Sequence, residues 1–293
     1  MAIDPVALKA RVFAPVEQSY DRFDTIRYGL SLGIGSDPLD PGELRHVYED
    51  GLQAMPTMIN ILGFPGFWAK EPDTGIDWRR LVHAEQAFVL HRPVPPEGRI
   101  VGHTRVADLW DKGAGRGTMM SQERRVVDTA DDTLLATVTQ LTYLRGDGGW
   151  SDGEATGAPP PPHALPDRTP DATCDLPTSP GAALLYRLNG DHNPLHADPA
   201  VAAAAGFPRP ILHGLCTMGM ACHAVLRTML DYRTDAITGM RVRFTAPVYP
   251  GETLRTAMWR DGDIVSLRTT AVERDVVVLD AGRVDLSSSI YGI

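Results

Sequence analysis

Two blocks of this chain alternate apolar and polar residues at every second position. In the first, AFVLHRPVPPEGRIVGHTRVADLW leads into TMMSQERRVV and TLLATVTQLTYLR; in the second, MRVRFTAPVYPGETLRTAMWRD leads into IVSLRTTAVER and VVVLDAGRVDLS. Period-two alternation broken by Asp-Gly or Gly-rich turns is how antiparallel strands with one buried face read. Each block carries Pro-Val-x-Pro, Pro93 to Pro96 and Pro247 to Pro250, at the same place in its series. Proline cannot donate to a sheet ladder, so each is predicted to mark an edge or a strand end. One series met twice is most economically an internal duplication.

A helical stretch precedes each block. In ILHGLCTMGMACHAVLRTML, the positions Leu215, Met218, Cys222, Val225 and Leu226 recur at helical spacing, and MPTMINILGFPGFW takes the corresponding place in the first half. Between the halves, GDGGWSDGEATGAPPPPHALPDRTPDATCD is dense in Gly, Pro and Asp, with a stiff run from Pro159 to Pro162. The expected division is therefore 1–147, a linker over 148–172, and 173–293. A long helix wrapped by a strongly curved antiparallel sheet is the layout of a hot-dog domain. The expected class is α+β, with two hot dogs in tandem packed as one pseudo-dimer.

Composition narrows the functions. At 293 residues the chain can bury real cores without staples, and its three cysteines, Cys174, Cys216 and Cys222, form no CxxC pair. They suit a reducing compartment and read as small apolar fillers. A net charge of -9, with no basic run, argues against nucleic acid. Lysine occurs only at Lys9, Lys70 and Lys112, so arginine would have to hold any phosphate-bearing ligand. No stretch has membrane-spanning length, and MAIDPVALKARVF carries an acid and lacks an apolar signal region. The C-terminal SSSIYGI is not a peroxisomal tripeptide, so a cytoplasmic protein is expected.

The chemistry concentrates in GDHNPLH, residues 190–196. Gly-Asp before Asn-Pro is ordinary turn chemistry, and Asp198 with Pro199 can start a helix over the Ala-rich run that follows. Yet YRLNGDHNPLHADPAVAAAAGFPRPILHGLCTMG resembles the hydratase-2 signature of the MaoC-like, (R)-specific enoyl-CoA hydratases. VHAEQAFVLHRPVPPEGRIVGHTRVADLWDKGAG is similar to the N-terminal hot dog of the two-hot-dog hydratases, including the hydratase unit of peroxisomal multifunctional enzyme type 2. Asn189 departs from the family's frequent Ser, outside the catalytic trio. The resemblance implies reversible hydration of trans-2-enoyl-CoA to (3R)-3-hydroxyacyl-CoA in fatty-acyl or side-chain β-oxidation, with coenzyme A belonging to the substrate and no further cofactor.

That reaction needs a base for water, an acid for C2, and donors to the thioester oxygen. Asp191 and His196 flank Asn193-Pro194, whose proline shapes the loop, so both can face one water with Asn193 as a third partner. His196 titrates near neutrality and suits the base; Asp191 needs desolvation to serve as acid. The backbone N–H of Gly214, at the start of the second-half helix, is the expected oxyanion donor. In the first half, GSDPLD aligns Asp37 with Asn193 and Asp40 with His196, and Met55-Pro56 stands where the second has His213-Gly214. The acid and histidine are missing there, and proline has no N–H to offer. One live site and one remodelled copy follow; the remodelled half, through FPGFW and MINILG, would give room to an acyl tail.

Tyr186, His213, Arg209, Arg241 and Arg243 complete the expected substrate-binding set, the arginines as partners for coenzyme A phosphates. His192, His196 and His213 lack a carboxylate at zincin spacing, so a metal is not expected. Rival readings are a dehydratase acting on acyl-carrier-protein thioesters, a hot-dog thioesterase, and a silent acyl-CoA-binding partner. The exposed faces of a pseudo-dimer could pair into a homodimer.

Overall fold

The structure, a computed structural model, describes residues 3–287. The first half runs α1 (Pro5–Ala10), β1 (Val16–Tyr20), α2 (Arg22–Ser31), α3 (Pro41–Leu44), β2 (Leu81–Leu90), β3 (Gly98–Asp111), β4 (Thr118–Asp128) and β5 (Leu134–Leu144). The second runs β6 (Ala172–Pro177), α4 (Ala182–Tyr186), α5 (Pro199–Ala204), α6 (Gly214–Met229), β7 (Ile237–Phe244), β8 (Thr253–Asp261), β9 (Ile264–Ala271) and β10 (Val276–Leu286). All ten strands join one sheet in the order β1-β3-β4-β5-β2-β7-β10-β9-β8-β6. The second five repeat the first five in reverse, as a duplicated unit joined to its copy must. The seam is the antiparallel pair β2 and β7, from Glu85 opposite Arg243 to Val89 opposite Gly239. Both Pro-Val-x-Pro segments fall at strand ends, between β2 and β3 and between β7 and β8.

Helix α6 is the axis of the core. Every residue from Cys216 to Leu226 is buried, and a helix apolar on all sides belongs in an interior. Each fully buried Leu, Val or Met there contributes about 1.5–3 kcal/mol. The first half contacts it directly: a Cβ at Gly219 would lie 2.5 Å from the Leu32 side chain, so glycine is what lets α6 meet the end of α2. Cys216 and Cys222 are buried and Cys174 half-buried, all three as free thiols. Burial pushes the Cys222 thiol up to about 12, consistent with an inert apolar filler.

The expected helix over MPTMINILGFPGFW is corrected by the structure. Only a 3-10 turn, Pro56–Asn60, forms there. Gly63 and Gly66 adopt left-handed φ values of 63° and 79°, and Pro65 stands between them, so the chain turns away. A Cβ on Gly63 would also meet the Gly102 backbone at 2.8 Å. Met58, Ile59 and Leu62 join the core, whereas Phe64 and Phe67 are exposed. The Pro-rich connection is seated on both halves: Asp111 accepts from the Gly149 and Ser151 N–H groups, and His163 pairs with Ser266 at 2.8 Å.

Candidate active site

The segment between α4 and α5 is both a turn and a chemical site. After a 3-10 turn at Arg187–Asn189, Gly190 reverses the chain with φ 107°. Asp191 Oδ1 accepts from the Asn193 N–H at 3.1 Å, and Asn193 Oδ1 accepts from the Leu195 N–H at 3.1 Å, capping the turn Pro194–His196. Asp198 then caps α5 through the Ala200 N–H. Asn193 thus commits its oxygen to the fold and keeps its amide N–H2 for other partners.

His196 is buried, and its Nδ1 lies 2.8 Å from the Ile211 carbonyl. A carbonyl only accepts, so Nδ1 carries the hydrogen and Nε2 is left as a lone pair. Burial lowers its pKa from the ordinary imidazole value, which keeps that lone pair available at neutral pH. His213, the N-cap of α6, stacks on it with ring centroids 3.7 Å apart and donates from Nε2 to the Asp191 carbonyl at 3.2 Å. Burial first, and the neighbouring His196 second, hold His213 well below its ordinary value. Tyr186 lies against the other side of His213, with ring centroids 5.0 Å apart.

Asp191 is exposed. Its carboxylate and one ring nitrogen from each of His196 and His213 lie within 4.8 Å of one another, a span one water molecule can bridge. The same three groups offer a cation as many ligand atoms. His213 spends its Nε2 on the Asp191 carbonyl, and its Nδ1 is buried. Gly214 opens α6, whose first N–H groups have no intrahelical partner and whose positive end adjoins the GDHNPLH loop through His213. A Cβ there would lie 3.0 Å from the Phe244 ring.

Of the expected residues, Asp191, Asn193, His196, His213, Gly214 and Tyr186 converge. Arg209 stands on the loop before His213, exposed, with its guanidinium 5.2 Å from the Tyr249 ring centre. Arg241 and Arg243 lie apart from these residues. Strand alternation turns Val242 and Phe244 inward, so both arginines lie on the opposite face, against Glu85 at 3.2 and 3.5 Å.

Two further residues border the site, His83 and Arg187. His83, on β2 of the first half, packs on Phe244 with ring centroids 4.7 Å apart and feels the Asp191 charge. Its Nε2 meets Gln86 Oε1 at 2.9 Å. Arg187 braces the loop through the His192 carbonyl at 3.3 Å. A register shift in β2 between His83 and Glu85 lets His83 face Phe244 while Glu85 faces Arg241 and Arg243 on the other side.

A double hot dog with a buried neutral histidine and an open carboxylate beside the start of its central helix carries the groups of general acid–base chemistry. Residues 162–281 match the MaoC like domain, and residues 18–146 match the MFE-2 hydratase 2 N-terminal domain. The chain is 42% identical to "Enoyl-CoA hydratase ChsH3" of Mycobacterium tuberculosis, covering 96% of this chain and 98% of that protein. It is 36% identical to "Enoyl-CoA hydratase 2, peroxisomal" of Arabidopsis thaliana, covering 97% and 96%. A MaoC-like dehydratase from Phytophthora capsici superposes with TM-score 0.82 at 30% identity, covering 96% and 98%. The chain belongs to the MaoC-like, two-hot-dog hydratase 2 family.

Proposed function

We propose that this protein hydrates 2-enoyl-CoA thioesters to 3-hydroxyacyl-CoA, reversibly, in acyl-chain β-oxidation. The observation that carries the reading is the bare Nε2 of buried His196 beside the Asp191 carboxylate, at the N-terminus of α6. His196 takes a proton from water as the oxygen bonds to C3. C2 receives a proton from Asp191, and transfer between the two groups restores the pair, so one water is added overall. A bound thioester covering Asp191 supplies the desolvation its acid role requires. The Gly214 N–H donates to the thioester oxygen as charge gathers there.

No cofactor beyond the coenzyme A of the substrate is called on by this scheme. Arg209, at the rim, is proposed as a phosphate partner; Arg209→Ala should raise KM and spare kcat. The (3R) product, a homodimeric state and a cytoplasmic location belong to the same proposal, and chiral product analysis decides the first. Dehydration of a 3-hydroxyacyl thioester uses this site in reverse. The thioesterase reading needs a carboxylate on the central helix, and α6 contains no Asp or Glu.

The test follows enoyl absorbance with crotonyl-CoA and a longer trans-2-enoyl-CoA for wild type, His196→Ala and Asp191→Asn. Hydration lost in both folded variants supports the reading; release of free thiol without loss of the enoyl group replaces it with hydrolysis.

A further inference from the structure

Behind the catalytic pair runs a line of buried polar groups that the scheme above does not use. Tyr28, Thr57, Tyr186 and His213 are at most 1% exposed and come from α2, the turn Pro56–Asn60, α4 and the cap of α6. Ring centroids step from His196 to His213 in 3.7 Å, to Tyr186 in 5.0 Å and to Tyr28 in 6.1 Å. The Tyr28 hydroxyl in turn faces those of Thr57 and Tyr186. None of the four free polar atoms, Thr57 Oγ1, Tyr28 Oη, Tyr186 Oη and His213 Nδ1, completes a protein hydrogen bond of ordinary geometry.

An unsatisfied buried polar atom costs about 1–3 kcal/mol, and native interiors hold few of them. Four in one row therefore need a common account, and their chemistry supplies one. His213 commits its Nε2–H to the Asp191 carbonyl, so its Nδ1 is an acceptor. Each hydroxyl has one hydrogen to give and lone pairs to receive. A single direction satisfies the row: Thr57 gives to Tyr28, Tyr28 to Tyr186, and Tyr186 to His213 Nδ1, with a bridging water wherever direct reach falls short.

We propose that Tyr186 is a positioning residue for catalysis: its hydroxyl, oriented by Tyr28 and Thr57 of the first half, donates to His213 Nδ1. That fixes the His213 tautomer and with it the backbone that carries Asp191. The remodelled half thereby reaches the active site through a hydrogen-bond relay as well as through packing. The proposal rests on the hydratase reading for its kinetic readout, and on spectroscopy independently of it.

Tyr186→Phe is the test, with Tyr28→Phe as a second, more distant variant. Hydration kinetics, thermal melting and the long-range proton–nitrogen NMR pattern of His213 are recorded for each. In Tyr186→Phe, kcat should fall about 10-fold at unchanged KM, the scale of a modest misplacement of a reacting group. His213 should leave the pure Nε2–H tautomer, and Tm should drop; Tyr28→Phe should do each of these less. A Tyr186→Phe protein that melts higher, keeps kcat and keeps the His213 pattern overturns the proposal, because the hydroxyl was then an orphan. If the wild type hydrates no enoyl thioester, the activity reading fails, while the NMR pattern and the direction of the Tm change still judge the relay.

Discussion

The two turns that begin Asx-Pro-Leu, one in each half, share a skeleton and differ in what their side chains are free to do. In the first, Asp37 Oδ1 accepts from the Leu39 N–H at 3.0 Å; in the second, Asn193 Oδ1 accepts from the Leu195 N–H at 3.1 Å. The caps downstream correspond too: Met55 has φ -65° and ψ 133°, and His213 has φ -60° and ψ 133°, each without a side-chain cap bond. Beyond that frame the copies part. Asp40 caps α3 at the Gly42 N–H and accepts from the Tyr232 hydroxyl at 2.6 Å. Glu43 is fully buried, accepting from the Gly35 N–H at 2.7 Å and facing Arg227 and His223 on the far part of α6. These carboxylates of the first loop have become joinery, whereas the second loop leaves Asp191 and one nitrogen of His196 open. The turn recurs in both halves, and only the second leaves its carboxylate and histidine open.

The comparison breaks most sharply by exchange of function. Asp191→Asn or His196→Ala should lower kcat by about 10²–10⁴, the range expected of a lost acid or base. Asp37→Asn and Asp40→Ala should leave kcat within about two-fold, since neither touches the reacting atoms; loss of the α3 cap in Asp40→Ala should cost about 1 kcal/mol in a thermal melt. A large rate loss from either first-loop variant would mean that the first copy is not merely structural.

Next in size is the helix start. Gly214→Ala sets a methyl 3.0 Å from the Phe244 ring, so the ring or the amide must shift, and kcat should fall about 10-fold. Phe244→Leu in the same chain should recover part of it, while Pro56→Ala at the matching place in the first half leaves the rate alone. Glu43→Ala reverses the pattern. It removes the acceptor of the Gly35 N–H and the partner of Arg227, so it should cost about 2 kcal/mol of stability with kcat nearly unchanged. Denaturant unfolding beside initial-rate kinetics separates the two outcomes.

Much of this was legible because it is local. Period-two alternation gave the strands of both halves, and the repeated Pro-Val-x-Pro gave their correspondence, which the mirrored strand order bears out. The GDHNPLH loop was readable because its residue types name its chemistry. The short first-half turn was written in Gly63, Pro65 and Gly66, but correspondence with the second-half helix outweighed them. Arg241 and Arg243 lie on the face opposite Phe244, as alternation along β7 requires. His83 was out of reach for a different reason: it meets the site only because β2 and β7 pair, and that pairing is a property of the whole sheet.

The smallest expected effect is on acidity, and it tests whether activity and stability respond to acid through different groups. His196 must be neutral to accept a proton from water, and its pKa lies below the ordinary 6.5. Thus kcat/KM should be flat through neutrality and fall with acidification only below that value. Stability follows the buried imidazoles together. Burial holds His83, His213 and His223 at about 4, against the ordinary 6.5. Between those values the unfolded chain binds more protons than the folded one, so stability is fully present above 6.5 and is lost progressively as pH falls toward about 4. His223→Gln removes one of these groups, far from the catalytic loop, and should flatten the acid slope of Tm without moving the kinetic inflection. If the kinetic inflection moves with it, activity loss in acid reports unfolding of the joint between the halves and not the protonation of His196.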